Sequence, residues 1–178
     1  MEENKDRLLA RSIAADVAER GGRAYYVGGV VGYNSYGTVT NSYNTGVVTG
    51  GDSVGGVVGY HSGGEVTNCY NTGAVSGRDS GDVGGVIGVN GGTVSDCYNT
   101  GTVTGSREVG GVVGHKDWGA KEITNCYYLD PCGAEGEGTA KTEEAFRSGE
   151  VAWLLNGNQS SIVFKQTLGD DAFPTFEG

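Results

Sequence analysis

Few residues in this chain could do chemistry, and their spacing argues against most of what they could do. His61 is followed by Ser62, Gly63, Gly64 and Glu65, so the zinc-peptidase pattern H-E-x-x-H is absent. His115 aligns with Tyr33, Tyr60 and Val89, whereas His61 aligns with Asn34, Asn90 and Lys116. The two imidazoles fall in different columns, cannot form a stacked ligand pair, and are expected to be surface residues. Cys69, Cys97 and Cys126 recur at one position, which Ser42 fills in the first copy. No His accompanies them, so a nucleophilic thiol is not indicated. No glycine run ends in the Lys-Ser/Thr of a phosphate loop, and there is no G-x-S-x-G elbow. Asp52, Asp79, Asp82 and Glu108 gather near one junction, but they lack the G-G-x-G-x-D calcium pattern. They read as solvated turn charges. No catalytic residue, metal ligand or cofactor is assigned, and the chain is expected not to be an enzyme.

The column Tyr43, Tyr70, Tyr98 and Tyr127 has two readings. One is an aromatic ladder that stabilises stacked strands. The other is an amphipathic contact surface for a partner, which makes these four the candidate ligand-contact residues.

All these columns exist because the chain repeats. VGGVVG occurs at residues 27–32, 54–59 and 109–114, and VGGVIG at 83–88; the starts are 27, 29 and 26 residues apart. Each copy is followed by a second phrase: NSYNTG at 41–46, NCYNTG at 68–73, DCYNTG at 96–101 and NCYYLD at 125–130. A unit this short cannot bury its own core, so copies must stack. Each copy carries three β-branched runs: around VGGVVG, around the T/E-V-T/S segment, and around the last Val-Thr/Ser. These predict an all-β, right-handed, parallel β-helix-like solenoid of about four coils. Val39, Val66, Val94 and Ile123 form one apolar column, and the Ser/Cys column lies three residues on. Strict alternation would point the two to opposite faces. A corner at Thr40-Asn41, Thr67-Asn68, Ser95-Asp96 and Thr124-Asn125 points both inward, because Asn and Asp tolerate left-handed dihedrals. The column thiols are then buried and unbonded to one another. A bridge between Cys126 and Cys132 is left open.

Residues 1–22 predict an N-terminal helix with Leu8, Leu9, Ile13 and Val17 on one face. Residues 23–130 form the repeat array. Residues 131–178 read as a small α+β capping segment. Its Trp153, Leu154, Leu155, Phe164, Phe173 and Phe176 are expected to cover the open edges of the last coil.

Of the chain's 178 residues, 35 are Gly and two are Pro; 12 basic against 22 acidic residues give a net charge of −10. That balance argues against nucleic acid and anionic membranes as partners. No run is long and apolar enough to span a bilayer. The charge-rich N-terminus is not a secretory leader, so the chain is expected to be a fragment of a longer protein.

The G-G-V-V-G phrase followed by N-C-Y-N-T-G resembles the GLUG repeat of bacterial surface and secreted proteins. Such repeats occur in adhesins and as non-catalytic modules of immunoglobulin A metallopeptidases. The resemblance covers about residues 25–176. NCYYLD, GTAKTEEAF, GEVAWLLN and QTLGDDAFPTF are similar to the region that follows the last copy in such proteins. Ser42 in the Cys column and the N-terminal helix depart from the pattern. The resemblance implies an extracellular or cell-surface location and a structural or adhesive role, with a host glycan or host protein as partner. The alternative it implies is an accessory substrate- or glycan-binding module of a secreted protease or other extracellular enzyme.

Overall fold

The computed structural model describes residues 25–78, 81–134, 136–157 and 159–176. The helix expected over residues 1–22 lies outside them.

The repeats form a β-solenoid of about four coils, one copy per coil, with parallel pairing between coils. The first coil contains Tyr26–Gly28, Val31–Thr40, Tyr43–Asn44 and Val48–Gly50. The second repeats them as Ser53–Gly55, Val58–Thr67, Tyr70–Asn71 and Val75–Gly77. Equivalent residues pair in register, as Val27 with Val54, Val39 with Val66, Tyr43 with Tyr70 and Val48 with Val75. Stacking therefore builds four sheets, not the three read from the sequence. The glycine-rich phrase is not one strand: it bends at its glycine pair. A Cβ on Gly55 would lie 1.9 Å from the Val58 carbonyl oxygen, so the bend requires glycine.

The expected corner is present. Asn41, Asn68, Asp96 and Asn125 have φ of 49°, 52°, 53° and 53°. With the chain turned there, Val66 and Val94 and the thiols of Cys69 and Cys97 all point into one core. Ser42 Oγ donates to the Thr40 carbonyl at 2.9 Å, and Cys69 and Cys97 Sγ donate to Thr67 and Ser95 carbonyls at 3.2 and 3.1 Å. Serine and cysteine thus do the same job. All four cysteines are buried free thiols, so no bridge joins Cys126 to Cys132. Burial pushes the Cys97 thiol pKa well up. Replacing Cys97 by Ser is expected to change unfolding free energy by less than about 1 kcal/mol, one hydrogen bond exchanged for another. Urea denaturation checks this; a loss of several kcal/mol contradicts it.

The two sequence phrases meet in a buried asparagine ladder. Asn44 Nδ2 donates to Asn71 Oδ1, and Asn71 Nδ2 to Asn99 Oδ1, both at 2.8 Å. Each amide also bonds the glycine two residues on. The second glycine of each pair makes room: a Cβ on Gly29, Gly56 or Gly85 would lie 2.4–2.6 Å from the asparagine Cγ. At the corner Asn125 donates to Asp96 at 2.5 Å, but the continuous ladder is three residues further on.

The segment expected as one cap divides into two parts. Residues 131–134 and 136–141 make an incomplete fifth coil: the Cys132 carbonyl accepts from Val103 N at 2.8 Å, and Thr139–Lys141 pairs parallel with Tyr127–Leu129. The rest leaves the end of the stack and lies along its side. Thr142 caps helix α1 (Glu143–Arg147), accepting from Ala145 N at 3.2 Å, and Gly149 with φ 83° leads into α2 (Glu150–Asn156). Asn156 Oδ1 then accepts from Val163 and Phe164 amides at 2.9 and 3.0 Å and fixes the loop that returns to the sheet. The β part of the expected α+β segment beyond the helices is a single antiparallel bridge between Lys165 and Thr175. Trp153, expected in the apolar patch, faces solvent instead.

Candidate functional site

The solenoid carries two tyrosine columns, and the chain treats them differently. In the first, Tyr43, Tyr70 and Tyr98 stack at 5.0 Å with interplanar angles of 8° and 5°. The lateral segment closes over them. Phe164 packs 5.9 Å from Tyr98, Phe176 5.0 Å from Tyr70 and Phe146 5.7 Å from Tyr98. The Tyr98 hydroxyl donates to the Pro174 carbonyl, and Lys141 Nζ sits 5.7 Å over the Tyr127 ring. Tyr70, Tyr98 and Tyr127 are buried and Tyr43 is half-buried. The four candidate contact residues are therefore assembled into one surface, and that surface is occupied by the chain itself. A partner reaches it only where residues 142–176 are displaced.

The second column is open. Tyr33 pairs in register with Tyr60, and their rings stack at 5.4 Å and 12°. The bend of the glycine phrase brings Tyr26 against both, at 5.3 and 5.0 Å. Tyr26 and Tyr33 are nearly half exposed, Tyr36 is 77% exposed, and Trp118 is 99% exposed. Trp118 stands on a turn in which Gly119 and Ala120 amides donate to the Asp117 carbonyl. Asp117 ties that turn to the tyrosines: one carboxylate oxygen accepts from Tyr60 Oη, the other from Trp118 N at 2.7 Å. The Tyr60 bond holds the Asp117 carboxyl below its ordinary range and pushes Tyr60 up to about 12. The carboxylate stays charged and the phenol stays neutral at any physiological pH. The patch thus offers aromatic surface and a fixed acceptor, which suits binding rather than proton transfer.

This patch was missed in the sequence, although half its signal was visible. Tyr33 and Tyr60 share one column, but Val89 and His115 interrupt its aromatic run. Asp117 and Trp118 lie in an insertion unique to the fourth copy, where spacing carries no information.

His61 is a correction. It is not a surface residue but fully buried, with Nδ1 2.9 Å from Asn34 Nδ2. Asn34 donates, so the proton of the neutral ring is on Nε2. Burial lowers the His61 pKa, and the Gly64 and Thr93 backbone offsets this only in part. The unfolded chain, with an ordinary pKa near ~6.5, then binds the proton more readily than the folded one. Stability is expected to be complete above that pH and to fall as the pH drops below it. His61→Asn, which matches Asn34 and Asn90 in the column, should flatten the slope. Thermal melts between about pH 7.5 and 5 of the two proteins test this; identical slopes contradict it.

Asp82 is a second correction: it is buried, not solvated. Burial pushes its carboxyl pKa up, and Arg107 at 3.5 Å opposes that. Among the described residues no three His, Cys, Asp or Glu side chains are placed to hold a metal.

Stacked parallel coils of about 27 residues, glued by buried amide and aromatic columns and lacking an assembled catalytic set among the described residues, define a repeat module. Residues 23–49, 50–76 and 79–104 each match the GLUG motif. The fold is similar to the crystal structure of a "putative immunoglobulin A1 protease" from Bacteroides ovatus, with a TM-score of 0.62 and 22% identity. The match covers 85% of this chain and 53% of that one, so the chain spans about half that protein's length. No curated protein matches the chain.

Proposed function

We propose that this GLUG-repeat module is a non-catalytic, adhesive part of a bacterial cell-surface or secreted protein. In this reading it acts outside the cell, its coils wind right-handed, and it contacts a host glycan or host protein through Tyr26, Tyr33, Tyr60 and Trp118. One observation carries the reading: Asp117, which accepts from Tyr60 Oη, also anchors the backbone amide of a fully exposed tryptophan. Tyr and Trp are the residues that supply most binding energy at contact surfaces. A net charge of −10 disfavours nucleic acid as the ligand. No described helix is long and apolar enough to cross a membrane.

The likeness to the Bacteroides ovatus structure favours a second reading, an accessory substrate- or glycan-binding module of a secreted protease. The test is a glycan and host-protein array probed with the chain and with Trp118→Ala and Tyr33→Ala. Loss of an aromatic anchor is expected to weaken a genuine hit by at least about 30-fold, the equivalent of ~2 kcal/mol. Hits unchanged in both variants would remove the patch from the account. A hit on immunoglobulin or another protease substrate would favour the accessory-module reading.

A further inference from the structure

The aromatic patch carries an anion that the chain leaves without a counter-ion. Asp117 belongs to the fourth coil and Tyr60 to the second, with Val89 between the two coils in register. The turn at Asp117 therefore brings its carboxylate across a whole coil to the tyrosine column, where it accepts from Tyr60 Oη. Among the described residues no Lys or Arg pairs with it. The two basic side chains that precede it are engaged elsewhere: His115 Nδ1 lies 2.7 Å from Glu108 and Lys116 Nζ 2.6 Å from Glu137. One Asp117 oxygen accepts from Tyr60 Oη and the other from Trp118 N, and each keeps a lone pair to spare. Asp117 is partly exposed, and the next residue presents an indole that is 99% exposed.

We propose that this patch recognises an arginine side chain presented by a basic segment of a protein partner. The inference rests on the reading of the patch as a contact surface and narrows it to one ligand chemistry. A planar guanidinium meets the carboxylate as a fork and also stacks on aromatic faces, which the ammonium of lysine does less well. Both contacts can be made at once. A cation bonded to a carboxylate that itself bonds Tyr60 Oη can reach the roughly 6 Å from the ring at which the aromatic face attracts it. Tyr33, stacked on Tyr60 at 5.4 Å, widens that face. A neutral sugar would use the tyrosines but leave the charge uncompensated. An acidic glycan is repelled by Asp117 and by the net charge of −10, whereas a basic segment is attracted by both.

Fluorescence anisotropy of a labelled peptide alternating Gly and Arg, titrated with the full chain, tests this against the same peptide with citrulline, the neutral isostere, in place of Arg. Saturable binding of the arginine peptide is expected, at least about tenfold tighter than that of the citrulline peptide. Asp117→Asn should weaken it at least about fivefold, and Tyr33→Ala likewise, with circular dichroism confirming that each variant is folded. Asp170→Asn removes an exposed charge from the lateral segment and should leave binding unchanged. The citrulline comparison keeps the test decisive if a variant of the chain fails to fold. Equal weakening by Asp117→Asn and Asp170→Asn would reduce the effect to net charge and overturn the proposal. So would equal binding of the two peptides, or no binding by about 1 mM. The two readings fail separately. Array hits that survive Asp117→Asn but are lost in Trp118→Ala and Tyr33→Ala overturn the arginine proposal alone; hits indifferent to all three substitutions remove the contact surface with it.

Discussion

Phe164→Ala is expected to lower the melting temperature by about 6–20 °C. The ring is buried, 5.3 Å from Phe176 and 5.9 Å from Tyr98, at the centre of the seam between solenoid and lateral segment. Deleting a buried phenylalanine costs about 3–5 kcal/mol, and each kcal/mol shifts a domain of this size by about 2–4 °C. Trp153→Ala, on the solvent side of the same segment, should change stability by less than about 0.5 kcal/mol. Calorimetry of both variants separates the cases. Equal, small effects would mean that residues 142–176 are a loose appendage and the Tyr70–Tyr98 face is open to partners.

Gly56→Ala is expected to abolish the folded state. The added methyl would lie 2.1 Å from the Gly85 carbonyl oxygen and 2.4 Å from Asn71 Cγ, with a coil on either side. Neither the backbone nor the bonded amide can retreat. A penalty beyond about 5 kcal/mol is a large part of a domain's usual 5–15 kcal/mol. Asn71→Ala should cost less but still several kcal/mol, because four hydrogen bonds lose a partner. Gly157→Ala serves as the control: its φ is −59° and its nearest neighbours are 3.3 Å away, so it should fold normally. Soluble expression and circular dichroism decide. A well-folded Gly56→Ala protein would mean that the two phrases do not face each other.

The sequence was most legible where a column repeats. The period set one copy per coil, the Asn/Asp corner explained how residues three apart share a core, and Ser42 among cysteines showed that the column needs no disulfide. It was least legible where a single copy departs from the pattern. That Tyr43, Tyr70, Tyr98 and Tyr127 form a column was readable; that the column is covered was not, because the covering residues come from a segment without periodicity. Burial of His61 was hidden because its neighbours in the column are polar, and a turn lined by buried polar groups looks like a surface turn in one dimension. Trp118 sits in an insertion, and only the fold reveals that Asp117 ties it to a tyrosine two coils away.

Hydroxyl-radical footprinting of the intact chain, resolved residue by residue by mass spectrometry, tests most directly which aromatic column faces the outside. Rapid oxidation of Trp118, Tyr36, Tyr33 and Tyr26 is expected, with Tyr70, Tyr98 and Tyr127 protected until the protein unfolds. Oxidation of Tyr98 at the rate of Tyr33 would contradict it.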